Sequence, residues 1–278
     1  MTQNPIPRRT VLSGIVAGAA VAVSGCFSSS DSGSENGEND FDGDDVFTDI
    51  FLEDTDLVLE FTNESSIDQI NVIDPNGELF DELSIVSGVS RDSIAIGTDY
   101  DPGVYEIIAL EDGDEQSTQS VTIESDIRIT DLRLGRNHPD EMFEGASDRE
   151  VRTETIITLK NQGSGPDAAT HLAFSGDVPR QTPSRDEYDE SGIYDEESDL
   201  GSYADTIDLP PGERVTIYSQ RRPFSAASER VSCTPETEHG VFEVAVETAM
   251  LDDAVSEDYE VTYTGEDLVE CDIEIEVE

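Results

Sequence analysis

The chain of 278 residues carries 65 acidic and 15 basic side chains, a formal net charge of -50, with no tryptophan and three cysteines. Nucleic acid and anionic lipid both need clustered Lys or Arg, so this balance argues against either as a partner. At low salt such a charge opposes compaction; at 1 M salt the Debye length is about 3 Å, and acids spread along the whole chain become a hydrated, soluble surface.

Residues 7–26 open with the pair Arg8-Arg9, continue in an uncharged run from Val11 to Val23, and end in small residues before Cys26. That is the order of a secretory signal, and the run is shorter than the ~20 residues a membrane-crossing helix needs. The adjacent arginines resemble a twin-arginine export signal, and Val23-Ser24-Gly25-Cys26 resembles a lipobox, where a peptidase cuts before a cysteine that then carries lipid. The resemblance implies a signal peptide over 1–25 and a lipid anchor on Cys26, holding the chain at the extracytoplasmic face of the cytoplasmic membrane. An uncleaved N-terminal anchor gives the same topology. Lys160 is the only lysine, and the acid-rich, arginine-biased composition resembles that of extreme halophiles; together the features resemble a haloarchaeal twin-arginine-exported lipoprotein.

Residues 26–45 offer almost nothing to bury and read as a disordered acidic tether. Within it, Glu38-x-Asp40-x-Asp42-Gly43 half-matches a calcium loop, but the first-position Asp, the twelfth-position Glu and flanking helices are missing. Over 46–125 apolar residues alternate in short runs: Leu57, Leu59 and Phe61; Ile70 and Val72; Leu83 and Ile85; Ile94 and Ile96; Val121 and Ile123. Period two broken by turn residues predicts a β-sandwich. Asp74-Pro75-Asn76-Gly77 is a turn in which proline presets φ and glycine accepts the exit. Asp101-Pro102-Gly103-Val104-Tyr105-Glu106-Ile107 resembles the entry to the F strand of immunoglobulin-like domains, which implies that the Tyr105 hydroxyl bonds back to the corner. Asn63-Glu64-Ser65, the only Asn-x-Ser/Thr sequon, falls between two of these strands and suits glycosylation.

Residues 126–278 read as a second sandwich with an insertion over 176–204. Ile127, Ile129, Leu132 and Leu134 suggest its first strand. The strand and turn from Thr155 through Asn161-Gln162-Gly163-Ser164-Gly165 resemble CARDB-type domains, named for cell adhesion. So do Leu209-Pro210-Pro211-Gly212-Glu213 and the strand Gly240-Val241-Phe242-Glu243-Val244-Ala245-Val246. The alternation of Ile273, Ile275 and Val277 adds a strand beyond that family's pattern. The insertion mixes acids with Tyr188, Tyr194 and Tyr203, which reads either as a recognition surface or as a solvated acidic loop. With Cys26 lipidated, Cys233 and Cys271 remain as a pair for a disulfide in an oxidising compartment, two free thiols being the alternative.

The histidines, His138, His171 and His239, have no metal-ligand spacing, and neither a nucleophile elbow nor a phosphate loop occurs. Cys233-Thr234-Pro235-Glu236 is compared with the Cys-x-Pro-His run of blue-copper lipoproteins, but Glu236 stands where the ligand histidine belongs. No cofactor is therefore expected. The reading is an all-β, non-enzymatic surface lipoprotein of two tandem Ig-like sandwiches. It would bind an unknown surface protein or glycan; the alternative is an accessory subunit of a transport or envelope complex, with a hydrolytic or copper enzyme third.

Overall fold

Apolar residues at every second position cannot build a helix stripe, but they give a pleated strand one dry face, and two such sheets bury those faces against each other. The computed structural model describes residues 46–62, 66–183, 190–196, 206–225, 231, 233–266 and 270–277, and it is an all-β chain of two immunoglobulin-like sandwiches in tandem.

The first sandwich is built from β1 (Phe47–Glu53), β2 (Asp56–Phe61), β3 (Gln69–Ile73), β4 (Leu79–Ser84), β5 (Arg91–Ala95), β6 (Gly103–Glu111) and β7 (Asp114–Ile123). Its two antiparallel sheets have the orders β1-β2-β5 and β4-β3-β6-β7. Leu57, Leu59, Phe61, Ile70, Val72, Ile94, Tyr105, Ile107, Val121 and Ile123 meet in one buried core. At the β3–β4 turn, Asp74 Oδ1 accepts from the Asn76 and Glu78 amides, and Gly77 takes a φ of 83°. The Tyr105 hydroxyl donates to the Asp101 carbonyl at 3.0 Å, the corner bond that its position implies.

The second sandwich comprises β8 (Ile127–Leu134), a short helix α1 (Asp148–Thr153), β9 (Thr155–Asn161), β10 (Asp167–Gly176), β11 (Ile193–Tyr194), β12 (Ile207–Leu209), β13 (Arg214–Ser219), β14 (Glu238–Thr248), β15 (Val255–Thr264) and β16 (Asp272–Val277). The sheets run β11-β13-β9-β8 and β12-β10-β14-β15-β16. Without β11 and β16 the strand order repeats that of the first sandwich, β8-β9-β13 standing for β1-β2-β5 and β12-β10-β14-β15 for β4-β3-β6-β7.

Strands β1, β10, β11, β12 and β13 lie beyond the sequence expectations, as do helix α1 and strand β15. Helix α1 is six residues held by a capping box in which Ser147 and Glu150 satisfy each other's backbone amides. Strand β15 places Tyr259, Val261 and Tyr263 in the core with acids and threonines between them.

The sandwiches meet at an elbow made by the turn after β9. Gly165 donates to the Glu124 carbonyl at 2.8 Å, Gln162 donates to that of Asp126 at 2.7 Å, and the Tyr100 hydroxyl donates to Pro166 at 3.0 Å. Buried Asp167 accepts from Ser125 Oγ at 2.6 Å and from the Met250 amide at 3.1 Å, while Met250 packs against the first core. A Cβ on Gly163 would collide with the Glu124 carbonyl and one on Gly165 with the Tyr100 hydroxyl, which explains the glycines of this turn. Asn161 holds the turn closed, its amide donating to Gly165 and Leu209 and its oxygen accepting from Gly163.

Candidate binding face and the residues around it

The expected tyrosine surface of the insertion is corrected at Tyr194. After Gly176 the chain returns to the sandwich: Val178 is buried, Thr182 bridges to Phe174, and Ile193 and Tyr194 pair with Ser219 and Tyr218 as β11. Tyr194 is 8% exposed, stacked on Tyr218 with ring centroids 5.5 Å apart, and Phe143 stands edge-on to both. A ring that doubles as core cannot also present itself to a partner. Tyr188 and Tyr203 lie outside the described residues, as do Asn63, Arg8, Arg9 and Cys26.

Beneath this aromatic cluster sits a buried acid. Glu154, 3% exposed, takes a hydrogen bond from the Tyr194 hydroxyl and a longer one, 3.4 Å, from Arg222 Nε. Burial pushes its carboxyl up to about 7; the bonds from Tyr194 and Arg222 pull the other way, and neighbouring Glu150 adds to the rise. Tyr194 is in turn raised well above the ordinary phenol range, first by burial and then by Glu154. The Tyr218 hydroxyl reaches the Glu141 carbonyl at 3.2 Å, and burial raises it to about 12.

Cys233 and Cys271 are joined in a disulfide with their Cα atoms 5.9 Å apart, tying the segment before β14 to the start of β16. Arg136 donates to the Cys271 carbonyl at 2.8 Å and Asn137 to that of Ile273 at 2.8 Å, so the added edge strand is fastened to the turn after β8 as well. His171 is buried with Nε2 2.9 Å from the Pro183 carbonyl, while His239 is exposed on β14. Among the described residues no group of three or more His, Cys, Asp or Glu is arranged to hold a metal ion.

The surfaces of the two sandwiches differ where their strand orders coincide. On β14, β15 and β16 the outward positions hold Glu243, Glu247, Asp258, Glu260, Glu274 and Glu276, with Glu243 directly opposite Asp258 and Glu260 opposite Glu276. On β3, β4, β6 and β7 the outward positions are mostly uncharged. Ile73, Ile108 and Leu110 are half-buried there, Leu79 is 55% and Val104 51% exposed, and around them stand Asn71, Thr118, Ser120 and Thr122. Three carboxylates stand among them: Glu82, which accepts from the Gln69 amide at 3.0 Å, Glu106, and Glu115, which lies opposite Leu110 and accepts from the Thr118 hydroxyl at 3.0 Å. The sequence shows each of these strands singly; the contrast appears only once their outward sides are assembled.

The sequence matches no family model and no curated protein. Among solved structures it is similar to a two-domain fibronectin type III segment from chicken tenascin (11% identity, 84% of this chain and 100% of that one, TM-score 0.26). It is also similar to the BSP domain of a biofilm-associated protein (13%, 73% of this chain and 27% of that one, TM-score 0.23) and to a β-glucuronidase of glycoside hydrolase family 2 (12%, 75% and 18%, TM-score 0.22). The chain thus spans under a fifth of the glucuronidase, and likenesses this slight carry no argument about activity.

Proposed function

We propose that the protein is a lipid-anchored extracytoplasmic binding module without enzymatic activity, exported through Arg8 and Arg9 and held by Cys26 on the acidic tether. Its first sandwich takes a protein surface low in charge on the outer face of β4-β3-β6-β7. The observation that carries the reading is the acid-poor, partly apolar face in a chain of net charge -50, opposite in character to the equivalent face of the second sandwich. Apolar contact strengthens as salt is excluded from protein surfaces, whereas charge attraction is screened, so the face suits concentrated salt. The CARDB-like turn at Asn161 to Gly165 supports an adhesion role for the whole.

Capture from native membranes in several-molar KCl, comparing the natural chain with Val104→Glu and Ile108→Glu, tests it. A partner retained by the natural chain and lost by both variants, with their folds intact, is the expected result; equal retention removes the face from binding. In parallel, Cys26→Ser should leave the membrane fraction, and a variant that stays there at the processed mass speaks against the anchor.

A further inference from the structure

The outer face of β8-β9-β13 gathers cations that the sequence disperses. Arg128 pairs with Lys160 and Lys160 with Arg214, so three basic residues lie side by side across three strands. Their inward neighbours, Ile127, Leu159 and the half-buried Val215, belong to the core or pack against it, which turns the three basic side chains outward. Arg128 is bonded to Asp126 at 2.9 Å; among the described residues neither Lys160 nor Arg214 has a carboxylate within ion-pair distance. Like charges directly opposite one another on a sheet destabilise it. At the equivalent place the first sandwich has two acids and one base, Asp49 opposite Glu60 and Glu60 opposite Arg91, and so no row of cations. Next along the face, Thr158 lies between Thr216 and Asp131, the hydroxyls standing beside the cations and the Asp131 carboxylate held by Arg133 at 2.6 Å.

We propose that the Arg128-Lys160-Arg214 row is a binding site for an anionic carbohydrate chain bearing sulfate or carboxylate groups. The strands are about 4.8 Å apart, so the backbone positions of the row repeat at that interval, which a polymer with one charge per sugar can follow. A denser polyanion is disfavoured. Duplex nucleic acid carries one charge per ~1.7 Å, and the groove of about 720 Å³ that Arg214 and Thr216 help to line also has five carboxylates in its wall, those of Asp54, Asp195, Glu196, Asp208 and Glu213. Those carboxylates meet any ligand that overruns the row. The sugar hydroxyls find partners in Thr158 and Thr216, and the site is independent of the face proposed on the first sandwich.

The experiment measures binding of the full chain to fluorescent chondroitin sulfate, polygalacturonate, neutral dextran and anionic lipid vesicles, at the lowest salt at which circular dichroism shows the fold intact. The natural chain should bind one or both charged polymers, more weakly as KCl is raised, and should ignore neutral dextran. Lys160→Gln with Arg214→Gln should weaken that binding tenfold or more and flatten its salt dependence, Lys160→Arg should restore it, and Arg91→Gln on the first sandwich should leave it unchanged. The double variant should melt no lower than the natural chain, since it relieves like-charge opposition. Absence of polymer binding by the folded natural chain, undiminished binding by the folded double variant, or a preference for vesicles over both soluble polymers would each overturn the proposal.

Discussion

The two sandwiches share one strand order and use it differently. The first spans seven strands with one arginine, Arg91, and a plain apolar core. The second has acquired an extra edge strand on each sheet, a disulfide, a buried acid under an aromatic cluster, and every other basic residue that follows Cys26. Where one module spends its outward positions on apolar and hydroxyl groups, the other loads one sheet with carboxylates and the opposite sheet with cations. A conserved order of strands therefore decides how the core closes and leaves the outward positions free to be specialised.

The comparison breaks first at the disulfide. Closing a loop of 38 residues stabilises by about 4 kcal/mol on the chain-entropy account, so Cys233→Ser with Cys271→Ser should lower the stability of the second sandwich by that order. Hydrogen exchange resolved by strand should show β14 to β16 opening sooner and β1 to β7 unchanged; equal loosening of both halves would mean that the staple serves the whole molecule.

Glu154 makes the second sandwich sensitive to pH. Because burial holds its folded-state pKa above the ordinary carboxyl value, its contribution is complete in acid and is lost as the pH rises through about 7. The full difference amounts to about 3 kcal/mol. Glu154→Gln keeps an oxygen for Tyr194 and should be more stable than the natural chain at pH 8, the gap closing toward pH 5. A gap independent of pH would assign the effect to packing.

The elbow couples the modules, and Gly165→Ala tests the coupling. The added methyl would meet the Tyr100 hydroxyl, the Ile123 side chain and the Glu124 backbone nitrogen at once, overpacking that costs about 1–3 kcal/mol. One unfolding transition in the natural chain should split into two in the variant by calorimetry; a single unshifted transition would show that the turn can give way.

The smallest effect belongs to the acid-loaded sheet. Glu276→Gln removes the like charge opposite Glu260 and should raise the thermal midpoint slightly at low salt, with the gain fading as KCl is added. No gain at low salt would mean that these exposed carboxylates are already relaxed away from each other.

Much of this architecture is legible in the sequence because strand alternation, turn chemistry and capping are local. Leu57-x-Leu59-x-Phe61, the Asp74 turn and the Tyr105 corner are written within a few neighbouring residues; the Ser147-Glu150 capping box is equally local, although the sequence expectations held no helix there. Tyr194 was misread for the complementary reason: a tyrosine among acids in a long segment has the composition of a surface loop, and only the pairing of Ile193 and Tyr194 with β13 buries it.

The sequence by itself determined the β class and the place of the strands with clear alternation, such as β2, β3, β6 and β16, since these follow from period-two patterning. Tertiary structure alone decided which side chains became neighbours: Lys160 between Arg128 and Arg214, Glu154 beneath Tyr194, Gly165 against Tyr100. Those contacts depend on the register between strands that lie far apart in the chain. A one-residue slip of register turns a strand's outward face inward, and no local pattern in the sequence specifies that register across so many intervening residues.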